Sequence, residues 1–229
     1  IWSLTGKVTE DQISCGIGVL GMPGSTAFGG LIDVLQAKQG ETIFISGAAG
    51  AVGGMVGMLA KTLFNCTVIG SCGGPQKAAF IKEQYGFDHS IDYKTINTRE
   101  EMVEALRAVA PNGIDLFFDN VGGIHLEAAL EVLRPRGRVA ICGQIQEYNN
   151  KVPVPVNWNP FKMIYSQQRI EGFVCHDWLF GKRGNFHSDM PQWLQEGKIA
   201  KVQETVFEGI DSWPLAFQSL FTGGNTGKV

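Results

Sequence analysis

The run Gly47-Ala48-Ala49-Gly50-Ala51-Val52-Gly53 sets three glycines at three-residue intervals. Bare glycines let backbone N–H groups close on an anion, and a helix opening beside them adds the positive end of its dipole. The chemistry this suits is the binding of a pyrophosphate. The flanks supply the context that glycines alone lack. Glu41 to Ser46 is a short β-branched and aromatic run that reads as a buried parallel strand, and Met55 to Phe64 reads as a helix packed closely on a sheet.

A second strand, Cys66 to Ser71, ends without an acid, and none occurs between Glu41 and Glu83. A dinucleotide site that prefers NAD usually carries Asp or Glu about 20 residues past the glycine turn, to hold the ribose 2′-OH. Here Ser71, Cys72, Gly73 and Gly74 open a roomy turn, followed by Lys77. An anion there would meet small donors and one ammonium group, which favours the 2′-phosphate of NADP(H).

The other reactive side chains do not assemble into a familiar catalytic set. His89, His125, His176 and His187 lack ligand spacing and read as surface or capping residues. His176-Asp177, read as strand neighbours, would point to opposite faces. Asp119 reads as a structural acid at a strand end. The five cysteines (Cys15, Cys66, Cys72, Cys142, Cys175) form no CxxC pair, so they read as reduced, mostly buried cytosolic thiols. Trp158, Trp178, Trp193 and Trp213 read as core or interface, with Trp158 alone in a candidate ligand loop.

The elements that must position these residues alternate as in a doubly wound α/β fold. A helix from Gln76 to Tyr85 closes at Gly86, and a strand follows at Ser90 to Tyr93. Thr98 caps a helix with its apolar face at Met102, Leu106 and Val109. Strands at Ile114 to Phe118 and Gly137 to Cys142 flank a helix that runs to Leu133. Tyr148 to Pro160 is proline-rich and reads as an irregular loop at the carboxyl end of the sheet, where ligands sit. Beyond it the pattern gives a helix at Phe161 to Ser166 and a strand at Ile170 to Cys175. A helix at Phe186 to Glu196, a strand at Val202 to Phe207 and a helix at Trp213 to Phe221 complete the chain.

The 229 residues suffice for one large core, and the net charge of −3 points to neither nucleic acid nor an anionic membrane as partner. No apolar run reaches the roughly 18 residues of a spanning helix.

Several phrases in order then resemble one family: Leu20-Gly21-Met22-Pro23-Gly24-Ser25-Thr26-Ala27, the glycine run, Asp92-Tyr93-Lys94, Phe118-Asp119-Asn120-Val121-Gly122-Gly123, Ile141-Cys142-Gly143 with Tyr148-Asn149, and Gly224-Asn225-Thr226-Gly227-Lys228. Together they resemble the zinc-independent medium-chain dehydrogenases/reductases. Within these, they are closest to the prostaglandin reductase/leukotriene B4 dehydrogenase and plant 2-alkenal (double-bond) reductase group.

The resemblance implies a Rossmann-type cofactor domain whose preceding GroES-like β domain is largely missing. Residues 1–24 would be a remnant of that domain with a linker. Residues 25–229 would be the dinucleotide-binding domain and C-terminal segment, with a last strand cut short after Lys228. It also implies cofactor contacts at Ala49, Gly50, Ala51, Val52 and Gly53, at Ser71 and Lys77, at Tyr93 and Asn120, and in the segment holding Cys142, Gly143, Ile145 and Tyr148. Phe173, Val174, Cys175 and Asn225 complete the set.

The activity implied is NADPH-dependent reduction of the C=C bond in α,β-unsaturated aldehydes and ketones, with no metal. Of the four tyrosines, Tyr148 and Tyr165 lie on the cleft side of this reading and are candidate donors to the substrate carbonyl, although the Tyr165 ring equally suits the core. A quinone reductase of the same fold and a non-catalytic NADP(H)-binding fragment are the competing readings. A zinc-dependent NAD alcohol dehydrogenase is disfavoured by the missing acid and the absent Cys/His cluster. The resemblance further implies a homodimer formed through the edge strand at Ile170 to Cys175.

Overall fold

The computed structural model describes residues 10–229, with side chains from residue 13 onward. The first nine residues of the segment read as a domain remnant therefore lie outside the described residues. A 3₁₀ turn (Glu10–Ile17) leads into α1 (Met22–Phe28), which continues as a short π-helix (Gly29–Val34). α1 runs across the boundary expected at residues 24 and 25. Cys15, Val19 and Leu20 are buried in the same core as Ala27 and Leu31.

Strands and helices then alternate. They are β1 (Thr42–Ile45), α2 (Ala51–Phe64), β2 (Thr67–Cys72), α3 (Pro75–Tyr85), β3 (His89–Asp92), α4 (Arg99–Val109), β4 (Ile114–Asp119), α5 (Ile124–Val132) and β5 (Leu133–Ile141). After a long irregular stretch come α6 (Pro160–Ser166), β6 (Arg169–Gly172), α7 (His176–Leu179), α8 (Phe186–Gln195) and α9 (Trp213–Thr222). The six strands are parallel in the order β3-β2-β1-β4-β5-β6. The strand order reverses between β1 and β4, and in such sheets ligands bind outside the carboxyl ends at that point.

Alternation along β1 divides the core. Ile43 and Ile45 pack with Met55, Val56 and Leu59 of α2, while Phe44 points to the opposite face and meets Phe117, Met102 and Leu106. Local signals set the helix ends. The Thr98 hydroxyl accepts from Glu101 N–H at 3.2 Å and the Glu101 carboxylate accepts from Asn97 and Thr98 N–H, a reciprocal cap on α4. Gly86 ends α3 in the left-handed region, φ 72°.

Four expected elements differ, one of them β5, which begins at Leu133 and not at Gly137. Helix α2 begins at Ala51, because the last residues of the glycine run form its first turn. Val202 to Phe207 is not a strand: it meets the chain end through an isolated bridge of Glu204 with Lys228 and through the Thr205 hydroxyl, which bonds Thr226. β6 stops at Gly172, and Cys175 precedes α7, so His176 and Asp177 lie on a helix and not on a strand.

Candidate functional site

The glycine run crosses from β1 to α2 at the switch point. Gly47 takes φ 63°, and its carbonyl accepts from Gly50 N–H at 3.0 Å, which tightens the turn. A Cβ at Gly53 would stand 2.4 Å from the Gly47 carbonyl oxygen, so only glycine lets α2 start this close to β1. Gly50 caps α2 without any side-chain acceptor. The N–H groups of Ala51, Val52 and Gly53 therefore open the helix with no side-chain partner, while Gly54 N–H already bonds Gly50. This is the geometry of an anion cradle. Ala49 is buried, and its carbonyl accepts from Gly227 N–H at 2.7 Å, which ties the C-terminal loop to the turn.

A buried network fixes the turn to the end of β4. Ser46 Oγ donates to Asp119 Oδ1 at 2.8 Å and accepts from Asn120 N–H at 2.8 Å, and Asn120 Nδ2 donates to the Ser46 carbonyl at 2.7 Å. Asp119 Oδ1 also accepts from Val121 and Gly122 N–H. Burial pushes the Asp119 carboxyl above the usual range, and Oδ2 has no partner. Asp119 is thus a structural acid, as expected, and the partner the sequence reading missed is Ser46.

The end of β2 departs from expectation. Ser71 is fully buried, and its hydroxyl lies 2.8 Å from His125 Nε2, so it is not open to a ligand. His125, expected as a surface or capping residue, is itself buried. Desolvation lowers its pKa to about 4, and its ring packs edge-on against Tyr93. The turn also lacks a carboxylate only along the chain. In space, Asp92 faces it, and one oxygen accepts from Gly74 N–H at 2.8 Å and from Lys94 N–H at 3.0 Å. Tyr93 lies over the turn: a Cβ at Gly73 would meet its hydroxyl at 2.9 Å. Burial, with the nearby Cys72 and Asp92, raises the Tyr93 pKa and keeps the hydroxyl a donor. Lys77 is half-buried and donates to the Gly223 carbonyl at 2.8 Å; burial lowers its pKa.

The far end of the crevice is built from β5 and β6. Cys142 and Gly143 N–H both bond the Asp119 carbonyl, and Ile145 N–H bonds that of Asn120. Burial, with the nearby Asp119 and Cys175, pushes the Cys142 thiol up to about 12, so it is inert as a nucleophile. Tyr148 is exposed, with its hydroxyl against Gly143, where a Cβ would approach to 2.9 Å. Phe173 packs edge-on between Phe118 and Trp178, Val174 is exposed and Cys175 is buried. Asn225 Nδ2 donates to the Gly227 carbonyl at 3.2 Å, within the loop that Gly227 ties to Ala49.

Tyr165 is not brought to this site. It lies on α6, which leads to the amino end of β6: Gln168 bonds the Leu133 carbonyl and Gln167 accepts from Arg136, both at the start of β5. Its ring is 74% exposed and leans at a tilt on Phe161, so it serves neither cleft nor core. Trp158 lines a separate depression with Arg99, Glu131 and Lys162 beside α5. Trp178 is buried, as expected, whereas Trp213 is exposed. Among the described residues no group of three or more His, Cys, Asp or Glu could hold a metal ion, and no helix is long and apolar enough to cross a membrane.

Residues 51–196 match the family described as "Zinc-binding dehydrogenase". Prostaglandin reductase 1 of Mus musculus is 42% identical over 217 residues, covering 95% of this chain and 64% of that protein. The 2-alkenal reductase (NADP(+)-dependent) of Nicotiana tabacum is 40% identical over 211 residues, 92% of this chain and 60% of that protein. The crystal structure of CurA in complex with NADPH from Vibrio vulnificus superposes with a TM-score of 0.86 at 38% identity, covering 97% of this chain and 66% of that one. The chain thus spans about two thirds of the length of these relatives.

Proposed function

Since this chain belongs to the zinc-independent medium-chain dehydrogenases/reductases, in the group of prostaglandin and 2-alkenal reductases, we propose that it carries the NADP(H) site of a reductase acting on α,β-unsaturated aldehydes or ketones. The observation that carries this reading is the uncapped first turn of α2, open at the strand-order reversal beside a β2 end that bears no acid. The relative from tobacco is named for NADP(+), and the CurA structure holds NADPH, which supports the same cofactor here.

In this reading the backbone N–H groups of Ala51, Val52 and Gly53 hold the pyrophosphate, and Gly50, whose own N–H is bonded to Gly47, lets it approach. Lys77 and Tyr93 face the 2′-phosphate. Asn120, the Cys142 to Tyr148 segment, Phe173 to Cys175 and Asn225 enclose the nicotinamide end. When bound, NADPH supplies a hydride to the substrate β-carbon. As negative charge grows on the substrate carbonyl oxygen, a hydroxyl donor must bond it more strongly than in the ground state. Tyr148 is the tyrosine the fold leaves at this end, and it takes that role in the proposal. The place of β6 at the sheet edge supports pairing with a second copy.

The test is to supply the protein with NADPH and a 2-alkenal, an enone or a quinone, and follow NADPH oxidation with product analysis. Saturated carbonyl products support the reading. Turnover of quinones alone would replace it with the quinone reductase.

A further inference from the structure

Lys94 belongs to no role assigned above, yet its position is fixed by the same atoms that shape the turn after β2. Asp92 Oδ1 joins Gly74 N–H, in the turn, to Lys94 N–H, in the 3₁₀ turn Tyr93–Thr95 after β3. One carboxylate oxygen thus clamps two chain segments together. The clamp lays the Lys94 side chain over the turn, where a Cβ at Gly73 would stand 3.1 Å from its Cε. No carboxylate lies within ion-pair distance of the Lys94 ammonium among the described residues.

Lys77 comes to the same place from α3, and the positive charge of Lys94 is one of the influences that lower its pKa, after burial. Two lysines thus flank the turn, and Asp92, the carboxylate that faces it, bonds the Gly74 and Lys94 N–H groups and neither ammonium. Such an arrangement is repulsive when empty and is relieved by a dianion. A phosphate monoester carries close to two negative charges at neutral pH, and one lysine neutralises only half of that.

We propose that Lys94 is a second specificity-determining cation, forming with Lys77 a two-ammonium jaw that closes on the 2′-phosphate of the cofactor. This rests on the NADP(H) reading above and names a residue that the reading does not contain. The jaw has asymmetric sides. Lys77 is half-buried and braced on the Gly223 carbonyl, whereas Lys94 is exposed and braced through its own backbone. Lys94 therefore supplies charge that salt screens readily, and Lys77 supplies the fixed side.

The experiment is fluorescence titration of the protein with NADPH and with NADH at low and high salt, comparing wild type, Lys94→Ala, Lys94→Arg and Lys77→Ala. The expected result for Lys94→Ala is an NADPH Kd raised about fivefold at low salt, less at high salt, with the NADH Kd unchanged. Lys94→Arg should retain most of the affinity. A wild-type preference for NADPH that survives Lys94→Ala intact overturns the jaw and leaves the cofactor reading standing. An equal loss of NADPH and NADH overturns it as well, since Lys94 would then support the fold. A wild type that does not distinguish the two cofactors defeats the NADP(H) reading itself, and the jaw with it.

Discussion

Lys77 Nζ donates to the carbonyl of Gly223, 146 positions along the chain, at 2.8 Å. Gly223 ends α9 in the left-handed conformation, φ 69°, and two residues later comes Asn225, in the loop that Gly227 ties to Ala49. One lysine therefore touches both the proposed 2′-phosphate site and the loop proposed to close over the nicotinamide. An ammonium has three donors, so it can hold the carbonyl and a phosphate together.

Gly53→Ala would place a Cβ 2.4 Å from the Gly47 carbonyl oxygen and 2.9 Å from Ala48 Cα, both rigid backbone atoms. The expected outcome is a loss of about 1–3 kcal/mol of stability together with loss of NADPH binding. Gly172→Ala, with nothing within 4 Å of its Cβ, should do neither. Thermal melts with and without NADPH check both variants.

His125 predicts an acid sensitivity. Its folded pKa is about 4 against an ordinary 6.5, so the unfolded chain takes up a proton first as pH falls. Stability contributed by the neutral ring is complete above about pH 6.5, drains away between 6.5 and 4, and is exhausted below 4. The loss across that window is about 3 kcal/mol. His125→Phe should flatten this slope while costing about 1 kcal/mol at neutral pH for the unpaired Ser71 hydroxyl. Denaturant titrations at several pH values give the measurement.

Ser46→Ala removes the hydroxyl that links Asp119 to Asn120. It leaves a buried carboxylate with fewer donors and the Asn120 N–H without its acceptor. A destabilisation of about 2 kcal/mol is expected, with weakened NADPH binding because Asn120 loses the acceptor of its N–H and keeps only its side-chain bond to the carbonyl of residue 46. Ser46→Thr, which keeps the hydroxyl, should restore part of both. Urea unfolding and cofactor titration read the two effects separately.

Tyr148→Phe and Tyr165→Phe separate the two tyrosines. The Tyr148 hydroxyl stands at the carboxyl end of the sheet, and Tyr165 lies near the amino end. Steady-state kinetics on an enal should show kcat lowered about tenfold or more for Tyr148→Phe, with KM for NADPH little changed. Tyr165→Phe should behave as wild type.

What the sequence made legible was local. The glycine run, the Thr98/Glu101 cap, Gly86 and the apolar strands each carry their signal within a few residues. The order of elements and the class of site followed from these. What escaped was set by partners far away: Ser71 with His125 across 54 positions, Ser46 with Asp119 across 73, and Lys77 with Gly223 across 146. Asp92 is the sharpest case. It is absent from the chain around the β2 turn, and it enters that turn only because β3 pairs beside β2. Tyr165 was misplaced because an aromatic at helical spacing reads as core, and nothing local says which end of the sheet its helix serves.

The most direct measurement of the central claim is the affinity of the protein for NADPH against NADH, with Lys77→Ala alongside. NADPH should bind at least about tenfold more tightly, a difference of about 1.4 kcal/mol, and the preference should shrink in Lys77→Ala. Equal affinity for the two cofactors, or binding of neither, would contradict it.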